Sequence, residues 1–181
     1  MGFERIGGDQ IWRGRIGTVR VERFRHDDGD VVEREVVAHP GAAVVVPFDG
    51  ERIWLVRQPR EIVGEQDLLE LPAGKLDVEG EEVLAMAKRE LREEAGKVAA
   101  NWKFLTRFYT SPGFTDEEIH AFLATDLTDE HGEAEENERI EIVSEPLSRL
   151  DDVIRSCRDA KTLIALLWFR AFELEKIPDF P

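Results

Sequence analysis

Three glutamates, Glu90, Glu93 and Glu94, lie within one short segment of the chain. A further acid, Glu81, and a glycine-bearing stretch that begins at Gly74 precede them. Carboxylates packed this closely repel one another unless a counter-charge neutralises them. A hard divalent cation bound through oxygen is the simplest such counter-charge, and it indicates chemistry on phosphate groups.

The spacing of apolar residues predicts a helix over residues 81–95 that carries these acids. At about 100° per residue, Glu90 and Glu94 fall one turn apart at the edge of an apolar stripe, and Glu93 falls on the adjacent flank. Gly96 is predicted to end the helix as a C-cap. Taken alone, the pattern is also typical of an ordinary helix with Arg–Glu pairs. The predicted stripe consists of Val83, Leu84, Ala87, Leu91 and Ala95.

Composition restricts the classes of function. The chain has 181 residues, 39 of them acidic and 24 basic, and the formal net charge of -15 argues against a nucleic-acid-binding surface. The single cysteine, Cys157, excludes an internal disulfide and suits a reducing compartment. Residues 1–10 lack the apolar core of a signal peptide, and the longest apolar run, residues 163–169, is too short to span a bilayer. We therefore expect a cytoplasmic protein without a membrane segment.

The order of elements predicts an α/β protein with strands in the middle and helices outside. Residues 10–38 are expected to form two or three short strands, with a turn at 27–30. We expect a small N-terminal β region over residues 1–40 and a second domain over residues 41–181. Further strands are predicted at 42–47, 52–57, 68–72, 102–110, 120–127 and 139–144, and helices at 81–95, 147–155 and 160–175.

Residues 71–74, Glu81 and residues 89–96 together resemble the Nudix box, the signature of hydrolases that act on nucleoside diphosphates linked to another moiety. Two departures from the usual pattern stand out. Six residues rather than five separate Gly74 from Glu81, and Lys97 replaces an apolar residue. The resemblance implies a Nudix fold, which is an α/β/α sandwich around a mixed sheet.

The resemblance also implies a set of metal ligands. Glu90 and Glu94 take the places of ligands, Glu93 that of a ligating or supporting catalytic residue, and the carbonyl of Ala73 completes the shell. The cofactor implied is Mg²⁺ or Mn²⁺. Arg89 and Glu81 are expected to hold the loop against the helix rather than to do chemistry.

A proline-bearing loop indicates the branch of the family. Pro112 follows Lys97 by fifteen residues, in a Ser-Pro-Gly-Phe-Thr segment that resembles the loop of ADP-ribose pyrophosphatases. The alternative is a simple type II turn between two strands, because Pro-Gly suits that turn by itself.

Five other residues resemble substrate-binding positions of this branch. Arg60 is a candidate contact to the substrate phosphates, and Arg57 is a weaker candidate. Arg34 and Glu35 match a region that recognises the purine. Trp12 lies in a segment that, in this branch, is exchanged across a homodimer to help form the nucleoside pocket of the partner. Surface charge for Arg34 and simple packing for Trp12 remain alternatives.

Residues 132–139 form an acidic run before a predicted strand. By resemblance, Glu136 takes the place of the catalytic base and Glu138 that of an additional metal ligand when substrate is bound. Glu135 and Glu138 are rivals to Glu136 as the base. Read without the resemblance, the run is typical of a solvated surface loop.

The resemblance implies metal-dependent hydrolysis of the pyrophosphate bond of ADP-ribose, which gives AMP and ribose 5-phosphate. One alternative is hydrolysis of another nucleoside diphosphate sugar, such as GDP-mannose. A second is a non-catalytic module that binds ADP-ribose, although such modules usually lose a glutamate of the box. The four histidines show neither zinc-site spacing nor a nucleophile partner, and no P-loop motif is present.

Overall fold

The computed structural model describes residues 1–14, 17–130 and 139–174. The chain divides into two compact units. Residues 1–41 and the connection 109–118 form the first unit, and the rest of the chain forms the second.

The first unit contains an antiparallel sheet with the strand order β1-β2-β3. Its strands are β1 (Phe3–Arg13), β2 (Thr18–His26) and β3 (Val31–Ala38). The turn predicted at residues 27–30 joins β2 to β3, and the backbone N–H of His26 donates to the carbonyl of Asp30 at 2.9 Å. Gly29 has a φ of 92°, a left-handed conformation that glycine adopts without the steric cost of a side chain.

The second unit contains two sheets. One is a mixed sheet with the order β7-β4-β9-β8, in which β4 runs parallel to β9 and antiparallel to β7. The other is antiparallel with the order β10-β5-β6. The seven strands are β4 (Ala42–Pro47), β5 (Arg52–Arg60), β6 (Glu65–Glu70), β7 (Ala73–Lys75), β8 (Lys97–Tyr109), β9 (Glu118–Asp129) and β10 (Glu141–Pro146).

The helices of the second unit are α1 (Val83–Ala95), α2 (Leu150–Ser156) and α3 (Ala160–Phe172). The element predicted at 147–155 begins with a 3₁₀ turn, Leu147–Arg149, before α2 starts. Among the described residues, none of the helices combines the length and the apolar character that crossing a membrane requires.

Strand β4 is buried along its whole length and lies between two clusters of apolar side chains. Because successive side chains of a strand point to opposite faces, Val44 and Val46 pack in the cluster that contains residues of α2 and α3. Ala43 and Val45 pack in the cluster that contains residues of α1. Helices therefore cover both faces of the mixed sheet, and the predicted α/β architecture is confirmed.

The apolar stripe of α1 is rotated from the predicted one. Met86 is fully buried, whereas Leu84, which the prediction placed in the stripe, is exposed. This rotation moves Glu94 from the edge of the stripe toward its centre, and only 8% of Glu94 is exposed. Gly96 ends the helix with a φ of 60°, and its N–H bonds to the carbonyls of Arg92 and Leu91, so the predicted C-cap is confirmed.

Candidate active site

Two glutamates of α1 reach the backbone of β7. Glu94 accepts a hydrogen bond from the backbone N–H of Ala73 at 2.9 Å. A Cβ built at Gly74 would lie 2.0 Å from Cδ of Glu90 and 2.2 Å from its Oε1. The Glu90 carboxylate fills the space that a side chain at residue 74 would occupy, so a larger residue there would displace this carboxylate. Since residues four apart lie on one helix face, both carboxylates converge on Ala73 and Gly74.

Arg89 lies at the centre of the acids. Its Nε and Nη2 donate to the two carboxylate oxygens of Glu81 at 3.2 and 3.1 Å. Its Nη1 donates to Glu93 at 3.1 Å and lies 2.7 Å from Oε1 of Glu90. The hydrogen bonds to Glu81, with the nearby charges of Glu90 and Glu93, raise the pKa of Arg89 above its ordinary value. One permanently charged guanidinium thus ties the loop before α1 to the helix, as the resemblance implies.

Both departures from the Nudix box have a structural explanation. The additional residue lies in the loop before α1, where Gly80 adopts a φ of 80° and the N–H of Glu81 bonds to the carbonyl of Val78. Lys97 begins β8 and is buried, yet its Nζ contacts the carboxylate of Asp129 and lies 3.5 Å from the centroid of the Trp54 ring. A cation stacked on an indole face replaces the usual apolar packing there.

Several acids of this site share the same cation. Arg89 is shared by three carboxylates, and Arg92 adds a longer contact of 3.8 Å to Glu93. Carboxylate oxygens are the donor type that Mg²⁺ and Mn²⁺ prefer, so the chemistry of these residues fits a hard divalent cation.

The predicted ligands do not form a ready-made metal site. Within the described ranges, no group of three or more His, Cys, Asp or Glu side chains has an arrangement that could hold a metal ion. The physical reason is that the carboxylates of Glu90 and Glu93 turn toward Arg89, and that of Glu94 turns toward the Ala73 N–H. The ligand roles of Glu90, Glu93, Glu94 and Ala73 stay predictions.

Arg60 lies at the end of β5 and binds a buried glutamate. Its Nε and Nη2 donate to the two oxygens of Glu70 at 2.6 and 2.9 Å. Glu70 is only 1% exposed and also accepts a hydrogen bond from Nζ of Lys161. Burial alone would raise the pKa of Glu70, but the hydrogen bond from Arg60 and the charge of Lys161 hold it below its ordinary value. The carboxylate is therefore ionised at neutral pH.

Glu70 and Lys161 were not predicted from the sequence. They are 91 residues apart, so no local pattern links them. The one available signal is Glu70 itself, a charged residue inside the apolar run Leu68–Leu71, where an acid must find a partner when buried.

Arg57, the weaker phosphate candidate, lines a cavity of about 640 Å³ in the second unit. Its Nη1 donates to the carboxylate of Asp67 at 3.1 Å. Arg57 and Arg60 both lie on β5, yet the structure gives them different carboxylate partners.

Three predicted substrate-binding residues lie together in the first unit. Arg34, Glu35 and Pro112 line a cavity of about 420 Å³. Trp12 is not among its lining residues; 59% of Trp12 is exposed, and its ring covers Gly14, where a Cβ would lie 1.8 Å from a ring carbon.

The Pro112 loop is not a type II turn, because Gly113 lacks the positive φ that such a turn requires. Instead, the N–H groups of Phe114 and Thr115 both bond to the carbonyl of Ser111, each at 3.1 Å. The predicted base Glu136, its rival Glu135 and the predicted ligand Glu138 lie outside the described residues.

Comparison with known proteins places this geometry in context. The NUDIX domain family matches residues 38–165. An ADP-ribose pyrophosphatase of Bacillus subtilis is 39% identical over 173 residues, which cover 93% of this chain and 92% of that protein. A methanol dehydrogenase activator of Bacillus methanolicus is 35% identical over 176 residues, which cover 94% of each. A crystal structure of an ADP compounds hydrolase superposes with a TM-score of 0.80 at 26% identity, covering 94% of this chain and 93% of that one.

Proposed function

The chain belongs to the Nudix family, and from this premise we propose that it hydrolyses the pyrophosphate bond of ADP-ribose to AMP and ribose 5-phosphate. The observation that carries the proposal is the convergence of Glu90 and Glu94 on Ala73 and Gly74. The names of the Bacillus subtilis relative and of the solved neighbour support the substrate class.

Nudix hydrolases generally require a divalent metal ion, and we propose Mg²⁺, with Mn²⁺ as the alternative. The residues proposed to hold it are Glu90, Glu94, Glu93 and the Ala73 carbonyl, joined by Glu138 when substrate is bound. Such an ion neutralises negative charge that develops on the phosphate oxygens.

The reaction balances as a simple hydrolysis. A water oxygen forms a bond to one phosphorus, and the bond from that phosphorus to the bridging oxygen breaks. The leaving phosphate keeps the electron pair of the broken bond. We assign the proton of the attacking water to the carboxylate of Glu136, with Glu135 and Glu138 as its rivals, since a glutamate near the phosphorus can act as a general base.

Arg60 is proposed to orient the diphosphate. A guanidinium is a planar donor that matches phosphate oxygens. Glu70 occupies its Nε and Nη2, so Nη1 is the nitrogen that remains, within the described contacts, to reach a phosphate oxygen. Arg57 is the second candidate for this role, although Asp67 engages it.

For the nucleoside, we propose contacts from Arg34, Glu35 and Pro112, which share one cavity of the first unit. We also propose a homodimer in which Trp12 contributes to the nucleoside pocket of the partner, with the N-terminal β region of residues 1–40 exchanged. The exposure of Phe3, Ile11 and Trp12 on β1 supports this assembly. The single cysteine supports a cytoplasmic location.

Turnover on a substrate panel tests the proposal. ADP-ribose, GDP-mannose, NADH, FAD and oxidised deoxynucleoside triphosphates are compared with Mg²⁺ and with Mn²⁺, and phosphate is measured after a phosphomonoesterase cleaves the products. We expect the highest kcat/KM for ADP-ribose. A preference for GDP-mannose would support the other nucleotide-sugar reading, and binding of ADP-ribose without turnover would support a non-catalytic module.

A further inference from the structure

The buried carboxylate of Glu70 has two cationic partners. Arg60 binds it through two nitrogens, and Lys161 binds it through Nζ. Asp159 lies 3.0 Å from the same Lys161 Nζ, so within this cluster two cations face two carboxylates and the charges are close to balanced when all four groups are ionised. The hydrogen bond to Glu70 and the charges of Glu94 and Asp159 raise the pKa of Arg60, which keeps its guanidinium charged.

Lys161 is itself fixed in place. Its Nζ lies 3.0 Å from Oδ1 of Asp159, the residue that caps α3 by accepting a hydrogen bond from the Thr162 N–H at 3.0 Å. The hydroxyl of Thr162 in turn accepts a hydrogen bond from the backbone N–H of Leu71 at 2.8 Å. The first turn of α3 is therefore bonded both to Glu70 and to the strand segment that leads to Ala73.

We propose that Lys161 and Glu70 are positioning residues for the substrate diphosphate: Glu70 holds Arg60 in one orientation, and Lys161 shares the negative charge of Glu70 with Arg60. The inference rests on the proposed function, since it takes the diphosphate as the ligand of Arg60. Neither residue needs to touch substrate.

The physical argument is one of competition for Arg60. Without Lys161, the carboxylates of Glu70 and Asp159 would remain, with Arg60 as the one cation of this cluster. A guanidinium surrounded by more negative charge attracts a phosphate less strongly than one whose counter-charge is shared with a second cation. Because Lys161 offsets part of the negative charge of Glu70, Arg60 attracts the phosphates of the ligand more strongly. The two hydrogen bonds to Glu70 keep the guanidinium in one orientation.

The test is Lys161→Met, which removes the charge and keeps the length of the side chain. We expect KM for ADP-ribose and Kd for ADP, measured by calorimetry, to rise about tenfold, the effect of one charge-assisted hydrogen bond. kcat should change less than about threefold. Lys161→Arg, which restores the charge, should return both constants to within about threefold of the wild type.

Lys103→Met is the matched control. Lys103 also pairs with a buried glutamate, Glu173, in the same unit. A purely structural role predicts that both substitutions lower Tm and leave Kd for ADP unchanged. The positioning role predicts that only Lys161→Met weakens ADP, while the inhibition constant of adenosine, which lacks phosphates, stays the same. If Lys161→Met does not fold, Lys161→Gln carries the same expectation, because the amide still donates to Glu70.

A double-mutant cycle asks whether Lys161 acts through Arg60. In an Arg60→Ala background, Lys161→Met should cause no further increase in Kd for ADP. Additive effects in this cycle would overturn the inference, as would an unchanged Kd in Lys161→Met. An inactive wild type whose ADP binding is still weakened by Lys161→Met would instead contradict the proposed hydrolysis and leave the positioning role intact.

Discussion

The second unit contains two groups of partly or fully buried glutamates that share cations in different ways. Glu70 is one carboxylate contacted by two cations, Arg60 and Lys161. Around Arg89, by contrast, three carboxylates share one guanidinium, and the buried Glu94 lies one turn further along the same helix. Burial of an acid alone therefore does not distinguish the two groups, whereas the sharing of one cation by several acids does.

The difference has a physical basis. Two like charges about 4 Å apart repel by about 4 kcal/mol at the effective dielectric typical of a protein surface. The cations that contact Glu70 offset the cost of burying its charge. The acids around Arg89 share one guanidinium, and a divalent cation would lower their mutual repulsion further.

The substitution expected to have the largest effect is Glu94→Gln, in the acidic group around Arg89, and the quantity it should change is the turnover number. We expect kcat for ADP-ribose to fall by about 10²–10³-fold, because an anionic oxygen at the reaction centre is lost. The free energy of unfolding should change by less than about 1 kcal/mol, since the amide oxygen can still accept the hydrogen bond from Ala73. Steady-state kinetics and urea denaturation measure the two effects.

Glu82→Gln is the control for Glu94→Gln. Glu82 is exposed at the N-terminus of α1 and makes no side-chain hydrogen bond to cap the helix. Its substitution removes the same charge from the same helix and should leave kcat unchanged. A near-native rate for Glu94→Gln with Mg²⁺ would show that Glu94 is not a metal ligand.

The next largest effect is expected for the substitution Glu70→Gln, which should lower the stability of the protein. At pH 7 we expect the free energy of unfolding to fall by about 3 kcal/mol, because two cations lose their buried counter-charge. The pKa of Glu70 in the folded protein lies below its ordinary value of 4.5. Its contribution is therefore complete above pH 4.5 and is lost as the pH falls through the folded pKa, so wild type and variant should converge in acid.

Urea denaturation between pH 7 and pH 3.5 checks this convergence. Glu65→Gln is the control from the same strand, because Glu65 forms a more exposed ion pair with Arg158. The Glu65→Gln substitution should lower the free energy of unfolding by less than about 1 kcal/mol. A constant difference between wild type and Glu70→Gln at every pH would contradict the depressed pKa.

The smallest expected effect is thermal stabilisation by Mg²⁺. At a concentration 100 times its Kd, the ion should add about 2.7 kcal/mol to the free energy of unfolding. Potassium chloride of equal ionic strength should not reproduce the rise in Tm. We expect the Glu70→Gln variant to show the same rise in Tm with Mg²⁺ as the wild type. The double variant Glu90→Gln/Glu94→Gln should show no rise. If Tm still rises in the double variant, the ion binds elsewhere.

Local patterns were sufficient to predict α1 and its end at Gly96. The apolar spacing and the glycine act within one or two turns, so the chain around them carries the information. The predicted buried face of α1 was wrong at one edge: it included Leu84, which is exposed, and left out Met86, which is buried. The surfaces of β4 and its neighbours decide which edge of the apolar stripe is buried. Strand β7, with three residues, is too short to show a period of two.

The network around Glu70 could not be predicted in the same way. Its members come from β5, β6 and α3, and their pairing depends on how distant elements pack. The box glutamates could be identified because their spacing is local, but the turn of Glu90 and Glu93 toward Arg89 is a property of folded side chains. Residue type and spacing thus predict the donors, and packing decides their orientation.

Strand β4 packs against helices that contribute residues to both glutamate groups. Its alternating side chains contribute to both apolar clusters, one with α1 and the other with α3. Loss of this strand would remove packing surface from both helices, so we expect the two groups to unfold together. Amide protons of α1 and α3 should therefore exchange with solvent through a shared opening, and the two acid groups form one cooperative folding unit.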